Sequence, residues 1–412
     1  MSETPATSSV SHTRLDVSLV SLPMMAVLVA QFLSALADNA LLIAAIAIVK
    51  QEGALRLVPV LQEFFVIPFI LLAPFVGSIA DAWPKGRVML AANTLKLAGA
   101  LMMFVGSSPL VAYGVVGVGA AAYSPAKYGI LAQLFGPERL VRANGMLEGS
   151  TIAAILLGVV LGGWLADVSL NTALGGVAAC YTAAAVANLF IPWLPPEHRL
   201  QFWSVPRLVT DFAHSAKALF VDRDGRFSLL GTSIFWGSGT TLRLLLFAWV
   251  PVALGVANNQ TPANLMGVVS IGIVAGATAA GIWVKLETVN RALVAGLLMG
   301  PLVLALSHAT TLTAAVLWLG VIGFCGGFFV VPLNALLQDR GHAMIGAGRA
   351  LAVQNFFENG TMLLFVGLYS IATTYAVPAV PTAFGFGIVI LVCIGLVAAS
   401  RMGSSRRDHV RQ

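Results

Sequence analysis

The chain is 412 residues long, 58% hydrophobic and only 10% charged, and its mean hydropathy is +0.90; a soluble domain, with about a quarter of its residues charged, is excluded. The formal net charge of +6 is spread between apolar segments, so it reflects membrane topology rather than a nucleic-acid surface. Cys180, Cys325 and Cys393 lie in apolar segments without CxxC spacing and read as packing residues, not metal or redox groups.

Residues 1–18 are polar and lack a basic stretch leading into a short apolar core and cleavage site, so they read as a retained cytoplasmic tail. Segments able to cross a hydrocarbon core about 30 Å thick follow at 19–49, 55–80, 88–105, 110–135, 141–165, 171–194, 227–256, 263–284, 292–307, 312–337, 350–373 and 379–400. The pattern predicts an all-α integral membrane protein with twelve transmembrane helices. Placing both termini in the cytoplasm puts eighteen of the 23 lysines and arginines on that face, from Arg14 through Arg199 to Arg406, Arg407 and Arg411, and leaves only Lys50 and Arg56 opposite. That asymmetry is the positive-inside rule.

One long polar stretch, 195–226, contains Pro195, Pro196, Pro206 and five basic residues, and holds a surface helix over 206–221. It reads as a cytoplasmic linker between six-helix halves at 19–194 and 227–400, with 401–412 a basic cytoplasmic tail. The halves match at fixed offsets. A shift of 210 brings Arg139 onto Arg349, Asn144 onto Gln354, Glu148 onto Glu358 and Thr151 onto Thr361, and a shift of 207 brings Pro125 onto Pro332 and Lys127 onto Asn334. A parallel duplication of this kind is the pattern of a secondary transporter with its site between the halves near the midplane.

Between the second and third segments stand Gly77, Asp81, Lys85, Gly86 and Arg87. This loop resembles the signature loop of the major facilitator superfamily, departing from it at Pro84, where that pattern has glycine. Glycine permits close helix approach, and the aspartate suits the positive N-terminus of a neighbouring helix. The resemblance implies that this neighbour is the eleventh helix, starting near Arg349, and that the loop serves conformational change. The second half has lost the motif at 285–291.

Seven charges fall inside apolar segments: Asp38, Glu63, Glu148 and Glu358, with Lys96, Lys127 and Arg243. A lone charge at the bilayer centre costs about 2.5 to 3.5 kcal/mol even on insertion scales, so such residues find partners or mark a substrate path. Counted at ~1.5 Å per residue, Asp38 and Arg243 lie about 16 and 20 Å from the outer ends of their helices, and their offset of 205 makes them near-equivalent. They are expected to face each other, either lining the path or pinning the halves together. Lys127 and Glu148 are expected to pair across consecutive helices. Gln354, Glu358 and Thr361 form a stripe on helix eleven, mirrored by Asn144, Glu148 and Thr151 on helix five, suited to substrate contact or to interhelical bonding. Lys96 and Glu63 pair with each other or snorkel. Glycine clusters at 114–119, 158–163 and 323–327 read as helix-packing surfaces, since no Walker sequence follows.

The segments 31–42, 117–131, 143–148, 236–243, 326–340 and 352–359 resemble those of the bacterial lysophospholipid transporters, and the likeness runs from about 19 to 400. It implies a flippase that carries lysophosphatidylethanolamine-like lipids from the outer to the inner leaflet of the bacterial inner membrane. It further implies a monomer without cofactor, functionally coupled to a separate acyltransferase/acyl-carrier-protein synthetase that reacylates the product, with Asp38, Lys127 and Arg243 on the charged path. The rival reading is a proton-coupled exporter of drugs or small metabolites on the same fold, with a buried carboxylate as proton carrier. A membrane acyltransferase is disfavoured, because none of the six histidines has an aspartate five residues on.

Overall fold

The computed structural model describes residues 18–52, 58–196, 204–256 and 260–409. Arg14, Arg56, Arg199 and Arg411, together with the side chains of Lys50, Arg406 and Arg407, lie outside the described residues, as do the tail before 18 and most of the linker before 204. The first half comprises α1 (Leu22–Gln51), α2 (Val58–Leu71), α3 (Ala73–Ala82), α4 (Lys85–Phe104), α5 (Pro109–Leu134), α6 (Pro137–Val168) and α7 (Leu170–Asn188). A surface helix α8 (Val205–Val221) leads into α9 (Arg223–Leu254), α10 (Gln260–Trp283), a 3-10 segment (Leu286–Arg291), α11 (Ala292–Ser307), α12 (Leu312–Met344), α13 (Ala347–Thr374) and α14 (Ala379–His409).

Helix starts follow local chemistry. Prolines open α5, α6 and α8, where a missing N–H costs nothing, and Ser169, Asp222 and Thr311 cap α7, α9 and α12 through their side chains. Among the described residues ten helices are long and apolar enough to cross a membrane, and the bent pair α2 and α3 makes an eleventh. The span expected as one helix over 55–80 is thus broken, bent by 61° between the two pieces. Pro74 in the first turn of α3 and Pro68 within α2 remove ladder donors on either side of Leu72. Helix α13 is 28 residues long, but Gln354, Asn355, Glu358 and Asn359 dilute its apolar character.

Apolar side chains on the outside of the bundle, among them Val160, Ile271, Ile282, Leu317, Leu364 and Leu396, are exposed, as expected of a lipid-facing belt. Trp83, Trp193 and Trp283 stand exposed at the ends of even-numbered spans, on one side of the bundle, where an interfacial aromatic girdle belongs. The halves meet through α3 on α13, α6 on α10, α5 on α13 and α6 on α12. The residues in contact lie toward the end that carries the 77–87 loop: a Cβ on Gly145 would sit 3.0 Å from the Ala277 carbonyl, and one on Gly281 3.4 Å from the Arg142 Cα. The bundle is closed at this end.

The second half lacks the signature loop but has its own clamp there. Arg401 on α14 binds Asp224 and, through Nε at 3.0 Å, Asn290 in the 3-10 segment. Arg340 on α12 reaches Asp222 and Asp224, each at 3.1 Å.

Candidate functional site

Three polar groupings run through the bundle. The first is confined to the first half. Asp38 on α1 accepts from Lys96 Nζ on α4 at 2.8 Å and from the Tyr181 hydroxyl on α7 at 2.7 Å. Lys96 is 2% exposed; it also donates to Ser34 Oγ at 3.0 Å, whose hydroxyl in turn donates to Asn93 at 2.7 Å. The ring of Tyr123 lies 5.0 Å from the ammonium. The lysine is buried and the carboxylate half-buried, with the remaining valences of both filled, the condition under which such a pair is tolerated. Asp38 therefore does not pair with Arg243, and Lys96 does not pair with Glu63. The physical reason is proximity: α4 and α7 both pack within the same half as Asp38, so its charge is met before the other half is reached.

The second grouping crosses between the halves. Asn144 on α6 and Gln338 on α12 exchange two amide hydrogen bonds, at 2.9 and 2.6 Å. One turn further along α6, Glu148 accepts from Tyr128 Oη at 2.6 Å and from Asn334 Nδ2 at 3.2 Å. Gln354 Nε2 donates to Asn334 at 2.7 Å and to Glu358 at 2.6 Å, so one chain of bonds joins the two equivalent glutamates. Ser124 on α5 and Asn355 on α13 add a further bond across the seam, at 3.0 Å with the amide as donor. All of Asn144, Glu148, Asn334, Gln338, Gln354 and Glu358 are buried. Lys127 makes no ion pair with Glu148. Its ammonium lies 4.5 Å from the Tyr128 ring centroid, since the Tyr128 hydroxyl takes the carboxylate position that the lysine was expected to occupy. Lys127 nevertheless stays within electrostatic reach of both Glu148 and Glu358.

The third grouping is the loop. Asp81, fully buried, accepts from the backbone N–H of Gly348 at 2.6 Å and of Arg349 at 2.9 Å, at the start of α13. Two charge-assisted bonds and the positive end of the helix act together there. Lys85 Nζ lies 3.4 Å from the same carboxylate. Close approach needs glycine on both sides: a Cβ on Gly77 would stand 2.8 Å from the Arg349 Cα, and one on Gly348 2.8 Å from the Gly77 carbonyl. Gly86 abuts Ile191, with which a Cβ would collide at 3.0 Å. Arg87 opens α4 beside Lys85.

Two intramembrane charges remain. Arg243 on α9 and Glu63 on α2 are exposed, both in the half of the bundle away from the loop. Leu242, Leu245 and Leu246 beside Arg243 are buried, so the guanidinium stands on the one free face of its helix. Of the residues not singled out from the sequence, Tyr181, Tyr128, Ser34 and Gln338 complete these networks. Gln338 had a usable signal, since Asn334 and Gln338 repeat on α12 the i, i+4 spacing of Asn144 and Glu148.

An all-helical bundle of apolar spans, a polar seam through it and an aspartate capping α13 are the features of a transporter of the Major Facilitator Superfamily. Residues 27–366 match that family's model, and the chain belongs to it. The fold is similar to that of the human organic anion transporter MFSD10, with a TM-score of 0.72 at 17% identity over 90% of this chain and 99% of that one. It is equally similar to a bacterial homologue of the iron transporter ferroportin in an outward-facing state, with a TM-score of 0.73 at 15% identity over 94% and 100%.

Within the superfamily the chain belongs to the family of lysophospholipid transporters. It is 52% identical over 380 residues to lysophospholipid transporter LplT of Escherichia fergusonii, covering 92% of this chain and 96% of that protein. It is 54% identical over 358 residues to LplT of Serratia proteamaculans, covering 87% and 90%.

Proposed function

We propose that this protein moves lysophospholipids, such as lysophosphatidylethanolamine, from the outer to the inner leaflet of a bacterial inner membrane. The observation that carries the reading is identity above half to LplT proteins along nearly their full length. Both termini are cytoplasmic, α13 crosses the membrane as the eleventh of twelve spans, and the product passes to a separate acyltransferase/acyl-carrier-protein synthetase for reacylation. The transporter works as a monomer, its halves joined by the linker at 195–226.

The substrate path runs between the halves. Asp38 has both carboxylate oxygens occupied within its own half, so the groups offered to a head group are Lys127 and Arg243, which make no ion pair among the described residues. Each suits a phosphate, the guanidinium by two parallel N–H bonds and the ammonium as a point charge. The single acyl chain stays in the apolar surroundings of the bundle while the head crosses. Asn144, Glu148, Gln354 and Glu358 form the inner gate, the 77–87 loop locks it, and parting of these bonds opens the cytoplasmic side.

Uptake of labelled lysophosphatidylethanolamine into proteoliposomes tests this. Arg243→Ala is expected to lower uptake by about tenfold or more, the loss of one charge-assisted contact of about 1.5 to 3 kcal/mol, while uptake by the unchanged protein survives collapse of the proton gradient. No uptake at all by the unchanged protein overturns the substrate. Uptake abolished by gradient collapse makes the lysolipid transport itself proton-coupled, with Glu148 or Glu358 as carrier.

A further inference from the structure

Helix α8 carries more apolar surface than the protein covers. One edge is buried: Leu208 and Leu219 are inaccessible, and the Phe212 ring meets Phe356 of α13 edge-on at 5.5 Å. Phe220 stacks on Phe357 at 6.2 Å between centroids. The helix thereby lies against α3, α9 and α13, over the seam between the halves. Yet Val205, Val209 and Phe220 are 62%, 46% and 41% exposed.

With the ~100° advance per residue of a helix, these three and Ala213 fall in one stripe roughly 80° wide, next to the buried edge. The remaining face shows Arg207, Thr210, His214 and Lys217, all exposed. A helix held on one side by protein, apolar along its base and basic along its top has the form of a helix lying in the plane of a membrane surface. Among the described residues no other segment covers the exposed stripe. Of the acids near it, Asp222 is already bound by Arg340 at 3.1 Å, which leaves Asp211 against Arg207 and Lys217.

We propose that α8 rests in the head-group layer of the cytoplasmic leaflet and binds anionic phospholipid there. Val205, Val209 and Phe220 enter the acyl boundary, and Arg207 and Lys217 meet lipid phosphates. The side of the membrane rests on the orientation given under Proposed function; the lipid contact does not. Because the helix spans the seam, the lipid beneath it is in contact with the part of the molecule that must part when the cytoplasmic side opens.

The test attaches a bimane fluorophore to Val209→Cys in the full chain, with the same labelling of the unsubstituted protein as background. In proteoliposomes, brominated phosphatidylglycerol is expected to quench it about fivefold more strongly than brominated phosphatidylcholine, and Arg207→Glu with Lys217→Glu to abolish that difference. Lysolipid uptake by Val209→Cys reports that the chain is folded. Strong quenching by aqueous iodide without quenching by either lipid overturns the proposal, and so does equal quenching by the two lipids. Reaction of Val209→Cys in intact cells with an impermeant maleimide overturns the orientation instead, leaving the lipid measurement to stand or fall separately.

Discussion

The Asp38 cluster and the Glu148 network are both polar and both set inside the bundle, the first half-buried at its carboxylate and the second buried, yet they do opposite things. Asp38, Lys96 and Tyr181 come from α1, α4 and α7 of one half, so they travel together however the halves move. Asn144 with Gln338, and Glu148 with Asn334, bind across the seam, so every opening of the cytoplasmic side must break them. A polar group buried within one rigid body holds that body's shape, whereas the same group shared between two bodies sets the balance between conformations.

Mutations inside the first cluster are therefore expected to cost stability, and mutations in the second to shift conformation. Lys96→Ala leaves a half-buried carboxylate without its cation and is expected to cost about 2 to 3 kcal/mol, less than the loss of a partner in a fully buried pair, read as a clear fall in thermal stability in detergent. Lys96→Met combined with Asp38→Asn recovers much of it. If the double variant is no more stable than Lys96→Ala, the pair is not what holds α1 to α4. Asp81→Ala removes two charge-assisted bonds to α13, at about 1.5 to 3 kcal/mol each. The expected result is a folded protein whose cytoplasmic side stands open, seen as raised labelling of a cysteine placed at Ala352.

Gln338→Ala, by deleting the reciprocal amide pair, is expected to shift the same labelling by about tenfold while thermal stability changes by only about 1 to 2 kcal/mol. Labelling unchanged with stability reduced would place Gln338 with the first kind of cluster. The smallest effect is expected from Tyr181→Phe, about 1 kcal/mol of stability with no change in labelling.

Much of this arrangement is legible in the sequence. The duplication, the polar stripes on two equivalent helices and the loop aspartate are visible because each is local or repeats at a fixed offset. The partner of Asp38 is not. Matching by offset selects Arg243, its counterpart in the other half, but duplicated positions need not touch. Depth along each helix places Lys96 near the same level without saying which way α4 faces. Tyr181 and Tyr128 escape notice for another reason. Tyrosine reads as an apolar packing residue until a neighbour shows what its hydroxyl is bonded to, as Glu148 does for Tyr128.

The break at Leu72 divides the second span into parts with different allegiances. Below it, Gly77 and Asp81 tie α3 to the far half; above it, α2 leans mainly on α5 of its own half, with a smaller contact to α13, and carries Glu63 on an exposed side. A straight rod would carry any tilt at one end to the other. A jointed one lets the outer segment swing aside to admit a lipid while the inner lock stays fastened, so loading and unlocking can occur as separate events.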